Sequence, residues 1–250
     1  MLPLSSFRLV LLGSVAAFAA APSPPGHTTS PFKGAKVNGG TATHSVEGGQ
    51  HRLTLSDDFR TPDAPDVHWQ VVDSMGNAFL LNRLAIKGDK MNRSVTLPSE
   101  VHDVAKVQMW CAWAQVVLGD ASFESPLATE ASGTKEGRKT TTLPTTSKPF
   151  TGVKANKGTV AAKREGENLV LALSEDFVTP DTPDVHWQVV DSMGHAHLLQ
   201  RVKVKGDGKE DRMQRTITVP SHVPDVAKVQ MWCAFAETNL GEAAFDSAVR

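Results

Sequence analysis

An internal duplication constrains this chain more than any other feature of its sequence. The segment DVAKVQMWCA occurs twice without a change, at 103–112 and at 225–234, and each copy holds one of the only two cysteines. The segment TPDAPDVHWQVVDSMGNAFLL at 61–81 returns nearly unchanged at 179–199. Any fold of the chain must therefore be able to form twice.

The spacing of the copies indicates two domains. Trp187 follows Trp69 by 118 positions and Cys233 follows Cys111 by 122, so the second copy carries four extra residues, in GDGKEDRMQ. Loops tolerate added length, and we expect a loop there. Each copy is about 100 residues long, which suits an independent domain and exceeds a solenoid repeat.

Short strands with turn residues between them fill each copy. LTLS and LVLALS alternate apolar and polar residues after the glycine-containing turns EGGQ and REGEN, and VHWQVV is β-branched and aromatic. RSVTLP and RTITVP are short strands that end at proline, and KVQMWCAWAQVV is predicted as the last strong strand. With no helical period, the pattern predicts an all-β fold of two tandem antiparallel β-sandwich or barrel domains.

The N-terminus resembles an export signal. Arg8 precedes an apolar run from Leu9 to Ala21, and Ala17-Phe18-Ala19 fits a small-x-small cleavage site. The run is shorter than the roughly 20 residues of a membrane span, and the prolines at 22–25 disfavour a buried helix or a retained anchor. We therefore predict a signal peptide at 1–21, no transmembrane segment in the mature chain, and a secreted or periplasmic location.

The remaining boundaries follow from composition. A stretch rich in Thr, Ser, Lys and Pro without apolar periodicity separates the copies and predicts a flexible linker at 128–148. The first domain is then predicted at 31–127 and the second at 149–250. The formal net charge of -1 gives no reason to expect a nucleic-acid partner. Motifs of common hydrolases, metalloproteases and phosphate-binding enzymes are missing, so an enzyme is disfavoured.

The cysteines lie on the more apolar row of their strand. Side chains alternate along KVQMWCAWA, so Val107, Met109, Cys111 and Trp113 share one face while Trp110 lies on the other. The second copy repeats this with Met231, Cys233 and Trp232. We expect the cysteine row to face the core, where a thiol behaves as a small inert hydrophobe.

Three other roles for the cysteines stay open. A redox-active thiol is one, and a disulfide is another if the two domains pack around these strands or if two chains pair. A copper site made of methionine, cysteine and His68 or His186 is the third. His68 shares its row with Gln70, so a solvent-exposed strand histidine is the simpler interpretation. Because His195 and His197 correspond to Asn77 and Phe79, no histidine pair recurs in both copies, which argues against a shared two-histidine site.

The acidic loops before VHWQVV also carry two interpretations. Carboxylates could bind calcium there, at Asp63, Asp66, Asp181 and Asp184. Pro-Asp pairs also form turns and aspartate caps local backbone, and no EF-hand spacing is present, so the turn interpretation is favoured.

Taken in order, the motifs resemble the DM-thirteen domain, also called the electron-transfer DM domain. Each copy opens with Phe-x-Gly (Phe32-Lys33-Gly34, Phe150-Thr151-Gly152), continues through a Leu-x-Leu strand that leads to Phe59 or Phe177, and then reaches Pro-Asp and a β-strand. Each closes with Trp-Cys and an aromatic two positions on. The order extends over 32–123 and 150–245.

The resemblance implies an extracytoplasmic β module with a hallmark cysteine for redox function. This role falls on Cys111 and Cys233, with Trp110, Trp232, Met109, Met231, His68 and His186 as supporting candidates. The cofactor stays open between haem, copper and a bare thiol, and the partner is an unidentified redox protein or extracellular ligand. The hypothesis is an exported electron-transfer protein; the alternative is an extracytoplasmic binding or adhesion module with structural cysteines.

Overall fold

The computed structural model describes residues 27–129, 142–208 and 210–250. The predicted signal peptide at 1–21 and the middle of the predicted linker lie outside these ranges. The described residues form strands, turns and loops and contain no helix, which confirms the all-β antiparallel prediction. No helix within these ranges has the length and apolar character needed to cross a membrane.

Each repeat forms two antiparallel sheets and a two-stranded ribbon. In the first repeat the sheets have the orders β1-β2-β7, β4-β3-β8-β9 and β5-β6. Their strands are β1 Ala42–Glu47, β2 Gln50–Leu55, β3 Val67–Val72, β4 Ala78–Arg83, β5 Ala85–Ile86, β6 Lys90–Met91, β7 Ser94–Thr96, β8 Asp103–Cys111 and β9 Val116–Ala128.

The second repeat has the same arrangement with one more strand, in the orders β10-β11-β12-β17, β14-β13-β18-β19 and β15-β16. The extra strand β10 corresponds to a single bridge between Thr28 and Thr43 in the first repeat. The strands are β10 Thr145–Thr146, β11 Val160–Glu165, β12 Asn168–Leu173, β13 Val185–Val190, β14 Ala196–Arg201, β15 Lys203–Val204, β16 Arg212–Met213, β17 Thr216–Thr218, β18 Val226–Cys233 and β19 Thr238–Val249.

The strand predicted over KVQMWCAWAQVV is wrong at its end. The chain turns at 112–115, directly after Cys111, and β9 runs back along β8. Gln115 and its counterpart Glu237 adopt positive φ angles of 54° and 47° in these turns. Hydrophobicity continues through the turn because its residues pack against the core, so the apolar pattern alone did not reveal the reversal. β9 and β10 also take up residues at both ends of the predicted linker.

The Phe-x-Gly motif brings two backbones into contact. A Cβ atom on Gly34 would lie 2.3 Å from the Cα of Gly119, and one on Gly152 would lie 2.2 Å from the Cα of Gly241. No side chain fits at such distances, so glycine is required at each of these positions. The segment that opens each repeat is thereby held against the last strand of the same repeat.

Each repeat has its own hydrophobic cluster. Large buried side chains such as Trp69 and Phe32 fill the first, and Trp187 and Phe150 fill the second. The repeats meet along β4 and β14, with the outer faces of the β3 and β13 sheets towards each other. Two backbone hydrogen bonds fasten the contact symmetrically, from Lys87 to Phe235 (2.9 Å) and from Lys205 to Trp113 (2.8 Å).

Candidate functional site at the junction of the repeats

The two cysteines lie in the hydrophobic clusters, as their row predicted. Each is 1% exposed, and neither is in a disulfide. Met109 and Met231, two positions earlier on the same face, are fully buried beside them. The Sγ atom of Cys111 accepts a weak hydrogen bond from the backbone N–H of Ala114 at 3.4 Å. A disulfide between Cys111 and Cys233 is therefore wrong, whereas a bridge between two chains stays a prediction.

Strand register separates the cysteines from the histidines. Trp69 pairs with Met109 and Val67 with Cys111, so these side chains share the core face of the sheet. His68 pairs with Trp110 on the opposite face, and the second repeat has the same register. A copper site that combines methionine, cysteine and histidine is not assembled. Trp110 and Trp232 are half-buried on the histidine face.

The prediction that His68 and His186 are solvent-exposed strand histidines is wrong. Both are 0% exposed, and their rings lie 4.8 Å apart between centroids, one from each repeat. The polar row of one repeat is covered by the same row of the other, which an alternation pattern within a single repeat cannot show. The expectation that no two-histidine site is shared is also wrong. His68 and His186 form a pair between the two copies rather than within each copy.

Six side chains form what we call the central cluster: Asp66, His68, Arg83, Asp184, His186 and Arg201. Each arginine reaches across to the other repeat, with Arg83 Nη1 donating to Asp184 Oδ2 at 2.6 Å and Arg201 Nη1 donating to Asp66 Oδ2 at 2.7 Å. The two contacts are equivalent under the duplication. Both aspartate side chains are completely buried, so the ion pairs are shielded from water.

Each histidine is held in one orientation by its own repeat. The Nδ1–H groups of His68 and His186 donate to the carbonyl oxygens of Leu81 and Leu199, both at 2.9 Å. The Nε2 atoms then point to Oδ1 of Asp66 at 3.1 Å and of Asp184 at 3.0 Å. Because the carbonyl fixes the Nδ1 proton, Nε2 is the atom left to carry a second proton or a different cation.

The electrostatics follow from burial and these contacts. Burial alone would raise the pKa of Asp66, but hydrogen bonds from His186 and His68 outweigh it and hold this pKa well below its usual range. The pKa of Asp184 is lowered against burial too, chiefly by His186. Burial would lower the pKa of His186, yet the hydrogen bonds with Asp184 and Asp66 raise it to about 9. Both aspartates are therefore carboxylates at neutral pH.

The acidic loops do not form a calcium site as a unit. Asp66 and Asp184 turn inward to the central cluster, whereas Asp63 and Asp181 are exposed. Local turns form at the Pro-Asp steps, with Ala64 N–H bonded to the Pro62 carbonyl and Thr182 N–H to the Pro180 carbonyl, both at 3.0 Å. The turn interpretation accounts for the exposed aspartates and misses the buried pair.

A cleft of about 220 Å³ opens beside the central cluster between the repeats. Its lining is mixed, with an indole, three amides, an imidazole and a guanidinium: Trp110, Gln70, Gln115, Gln200, His222 and Arg201. Burial and the neighbouring His197 lower the pKa of His222 to about 4, so this ring is neutral at pH 7. Arg201 Nε is buried and has no hydrogen-bond partner among the described residues, whereas Arg83 Nε donates to the Ala85 carbonyl.

The corresponding region on the other side of the cluster is bridged. Glu237, the counterpart of Gln115, accepts hydrogen bonds from Asn82 at 3.2 Å and from Asn92 at 3.1 Å in the first repeat. At Glu237, polar contacts across the interface thus replace the open cleft. Glu100, the counterpart of His222, pairs with His197 Nδ1 at 3.1 Å, and this pair lies close to the His222 end of the cleft, with the two histidine rings 6.3 Å apart.

Sequence reasoning named both aspartates and both histidines but did not join them or include the arginines. The signal was present: Asp-x-His occurs in both copies, and residues two apart share one face of a strand. An arginine that closes a strand in both copies, at 83 and 201, was the second signal. Comparisons with protein-family models, with curated proteins and with solved structures find no match to this chain.

Proposed function

We propose that the chain is an exported binding module made of two tandem β-sandwich domains of the DM-thirteen type, with structural cysteines and a ligand site in the cleft between the repeats. One observation carries the proposal: the cleft has aromatic, amide and guanidinium groups in one concave place, beside a rigid cluster. Ligand sites commonly occur between domains and combine apolar surface with a few convergent polar groups. Export and family rest on the sequence motifs alone.

The lining selects the chemistry of the ligand. Trp110 offers an apolar surface with a polar edge, and the three glutamines offer both donors and acceptors. The one formal charge, on Arg201, is already paired with Asp66, so the cleft offers no free charge to a ligand. The ligand is therefore a small uncharged molecule with one apolar face and oxygen acceptors. The volume is below the roughly 300–1,000 Å³ of drug-sized sites, which limits it to about one ring.

The redox hypothesis has less support from the geometry. Both thiols face the cores, on the opposite side of the sheet from the cleft, and both are 1% exposed. Reactive cysteines need partial exposure and an electropositive setting, which stabilises the thiolate. Electron transfer by Cys111 and Cys233, through a bare thiol, haem or copper, stays a prediction, and slow reaction of the native thiols with a disulfide reagent would count against it.

The test uses a matched pair of tryptophans. Trp110 lines the cleft, whereas Trp232, its counterpart beside His186, does not. Monosaccharides and single-ring aromatic alcohols are screened against the mature chain by saturation-transfer NMR. We expect Trp110→Ala to weaken binding by at least about tenfold, because an interface tryptophan commonly contributes 2 kcal/mol or more.

Two controls make the result specific. Trp232→Ala and the double variant Cys111→Ser/Cys233→Ser should bind the same compound as tightly as the original chain. Binding that survives Trp110→Ala, or a panel in which nothing binds, rejects the cleft as the ligand site. Loss of binding in the cysteine variant, with folding retained, favours the thiol hypothesis instead.

A further inference from the structure

The central cluster contains the ligand set of a metal centre, which the cleft proposal does not use. In each repeat, an aspartate at the end of a loop and a histidine two positions later share one strand face. Because the repeats meet on that face, two such pairs converge. One ligand atom from each of Asp66, His68, Asp184 and His186 can be chosen so that all four lie within 4.8 Å of one another.

We propose that these four side chains bind one zinc ion at the junction of the repeats, through both histidine Nε2 atoms and one carboxylate oxygen of each aspartate. The site takes two ligands from each repeat, so neither repeat has a complete set of its own. Bound zinc would therefore link the two repeats directly. This inference is independent of what the cleft binds.

The ligand chemistry selects the ion. Two imidazole nitrogens and two carboxylate oxygens suit zinc, and no thiolate is present to favour copper(I). All four side chains are fully buried, which corresponds to a closed, structural four-coordinate site rather than one that keeps a position open for water. In a tetrahedral site the ligand atoms lie about 3.4 Å apart, so the widest pair must approach by roughly 1.4 Å.

The surroundings have the features of an outer coordination shell. Histidines that bind metals usually donate their other ring N–H to a carbonyl or carboxylate, as His68 and His186 do to Leu81 and Leu199. The Oδ2 atoms of both aspartates are held by Arg201 and Arg83. The same guanidinium groups also approach the Oδ1 atoms, with Arg83 Nη1 at 3.0 Å from Asp66 and Arg201 Nη1 at 3.4 Å from Asp184. Zinc at Oδ1 therefore requires each arginine to shift fully onto Oδ2.

The charge of the cluster also permits an ion. Two carboxylates and two imidazoles carry the two negative charges that a divalent ion neutralises. Zinc can enter only where the Nε2 atoms carry no proton. The two arginines, which pair with the same carboxylates, stay outside the ligand set.

The experiment uses the full mature chain, stripped with a chelator and then titrated with Zn²⁺ or Co²⁺. We expect one ion per chain after gel filtration, the visible absorption of tetrahedral cobalt, and a higher melting temperature with zinc. The double variant His68→Gln/His186→Gln should lose at least about tenfold in affinity, which is the lower end of what even an outer-shell change costs.

The control removes the other histidine group of the first repeat. His27, His44 and His51 form a row with ring nitrogens 2.9 Å apart, so they are competing binders. The triple variant His27→Gln/His44→Gln/His51→Gln should keep the tetrahedral site. If metal binding disappears in that variant, or if the original chain retains no stoichiometric ion, the proposal is wrong.

A measurement on the original chain covers the case in which the double variant does not fold. Nitrogen-15 spectra of the histidine side chains should show two rings whose Nε2 signals shift with zinc while their Nδ1 remains protonated. Zinc-dependent shifts confined to other histidines would overturn the assignment.

Discussion

The two sides of the interface between the repeats began from one duplicated sequence and now differ. On one side, Glu237 bridges the repeats through Asn82 and Asn92. On the other side the same position holds Gln115, and a cleft remains. The Glu100–His197 pair and its counterpart, His222 with Phe79, lie next to each other, with the two histidine rings 6.3 Å apart. The central cluster between them is unchanged in residue type. The central cluster, which is the same in both copies, therefore joins the repeats. The positions on its two sides differ between the copies and form a bridge on one side and a cleft on the other.

The largest change in stability is expected when the charge of one central aspartate is removed. Asp66→Asn leaves Arg201 and the two histidines without their buried carboxylate, and loss of one partner from such a pair costs about 3–5 kcal/mol. Because the cluster is symmetric, Asp184→Asn should lower the free energy of unfolding by a similar amount. Urea unfolding measures both, and the repeats are expected to unfold in separate transitions once uncoupled.

The exposed Asp63→Asn provides the control and should change stability by no more than about 0.5 kcal/mol. If only one of the two central variants were destabilised, the two aspartates would not contribute equally to stability. The central cluster could then not be treated as the symmetric part of the interface.

A smaller effect is expected when position 197 is given the residue of its counterpart in the first repeat. His197→Phe introduces the residue found at 79 and removes the contact with Glu100, a hydrogen bond to a charged group worth about 1.5–3 kcal/mol. Asp191 and His222 also lie near His197 and are unchanged in this variant. Differential scanning calorimetry at a series of pH values measures the loss.

The pH dependence of that loss has a definite sign. Burial would lower the pKa of His197, but Glu100 and then Asp191 raise it above the usual 6.5. Stability from this contact is thus fully present on the acidic side of 6.5 and is lost as pH rises through the raised pKa. The pKa of Glu100 is lowered despite burial, so the contribution of this carboxylate is lost as pH falls through that lowered value. A difference that grew towards alkaline pH would contradict the assignment.

The smallest change in stability is expected from substitutions of Glu237 and Gln115, the corresponding turn residues after the cysteine strands. Glu237→Ala removes the hydrogen bonds to Asn82 and Asn92 and should cost less than about 1 kcal/mol, because Glu237 is exposed. Gln115→Ala changes the same kind of backbone position, also at positive φ, and should be nearly neutral. Chemical denaturation measures the loss of stability in both variants, and the difference between them removes the contribution of the backbone position. Equal losses would show that the hydrogen bonds of Glu237 add no stability.

Much of the fold could be predicted from local pattern. The duplication, the alternation in LTLS and VHWQVV, and the glycine turn at 48–49 correctly predicted strands β2 and β3 and their copies. The inward row of Met109 and Cys111 was predicted for the same reason, since side chains on a strand alternate strictly between faces. The reversal after Cys111 was missed, because its turn residues are as apolar as the strand before them.

The repeated motifs and their alternation are enough to predict two copies of one β unit and the apolar face of each strand. Whether the polar face is exposed or buried depends on how the two repeats pack together. His68 lies in a row that resembles a solvent-exposed surface, and it is buried because the other repeat supplies Asp184, Arg201 and His186 to satisfy it. Burial of a polar group depends on partners that are distant along the chain, and pairing between two like faces leaves no periodic trace in either one.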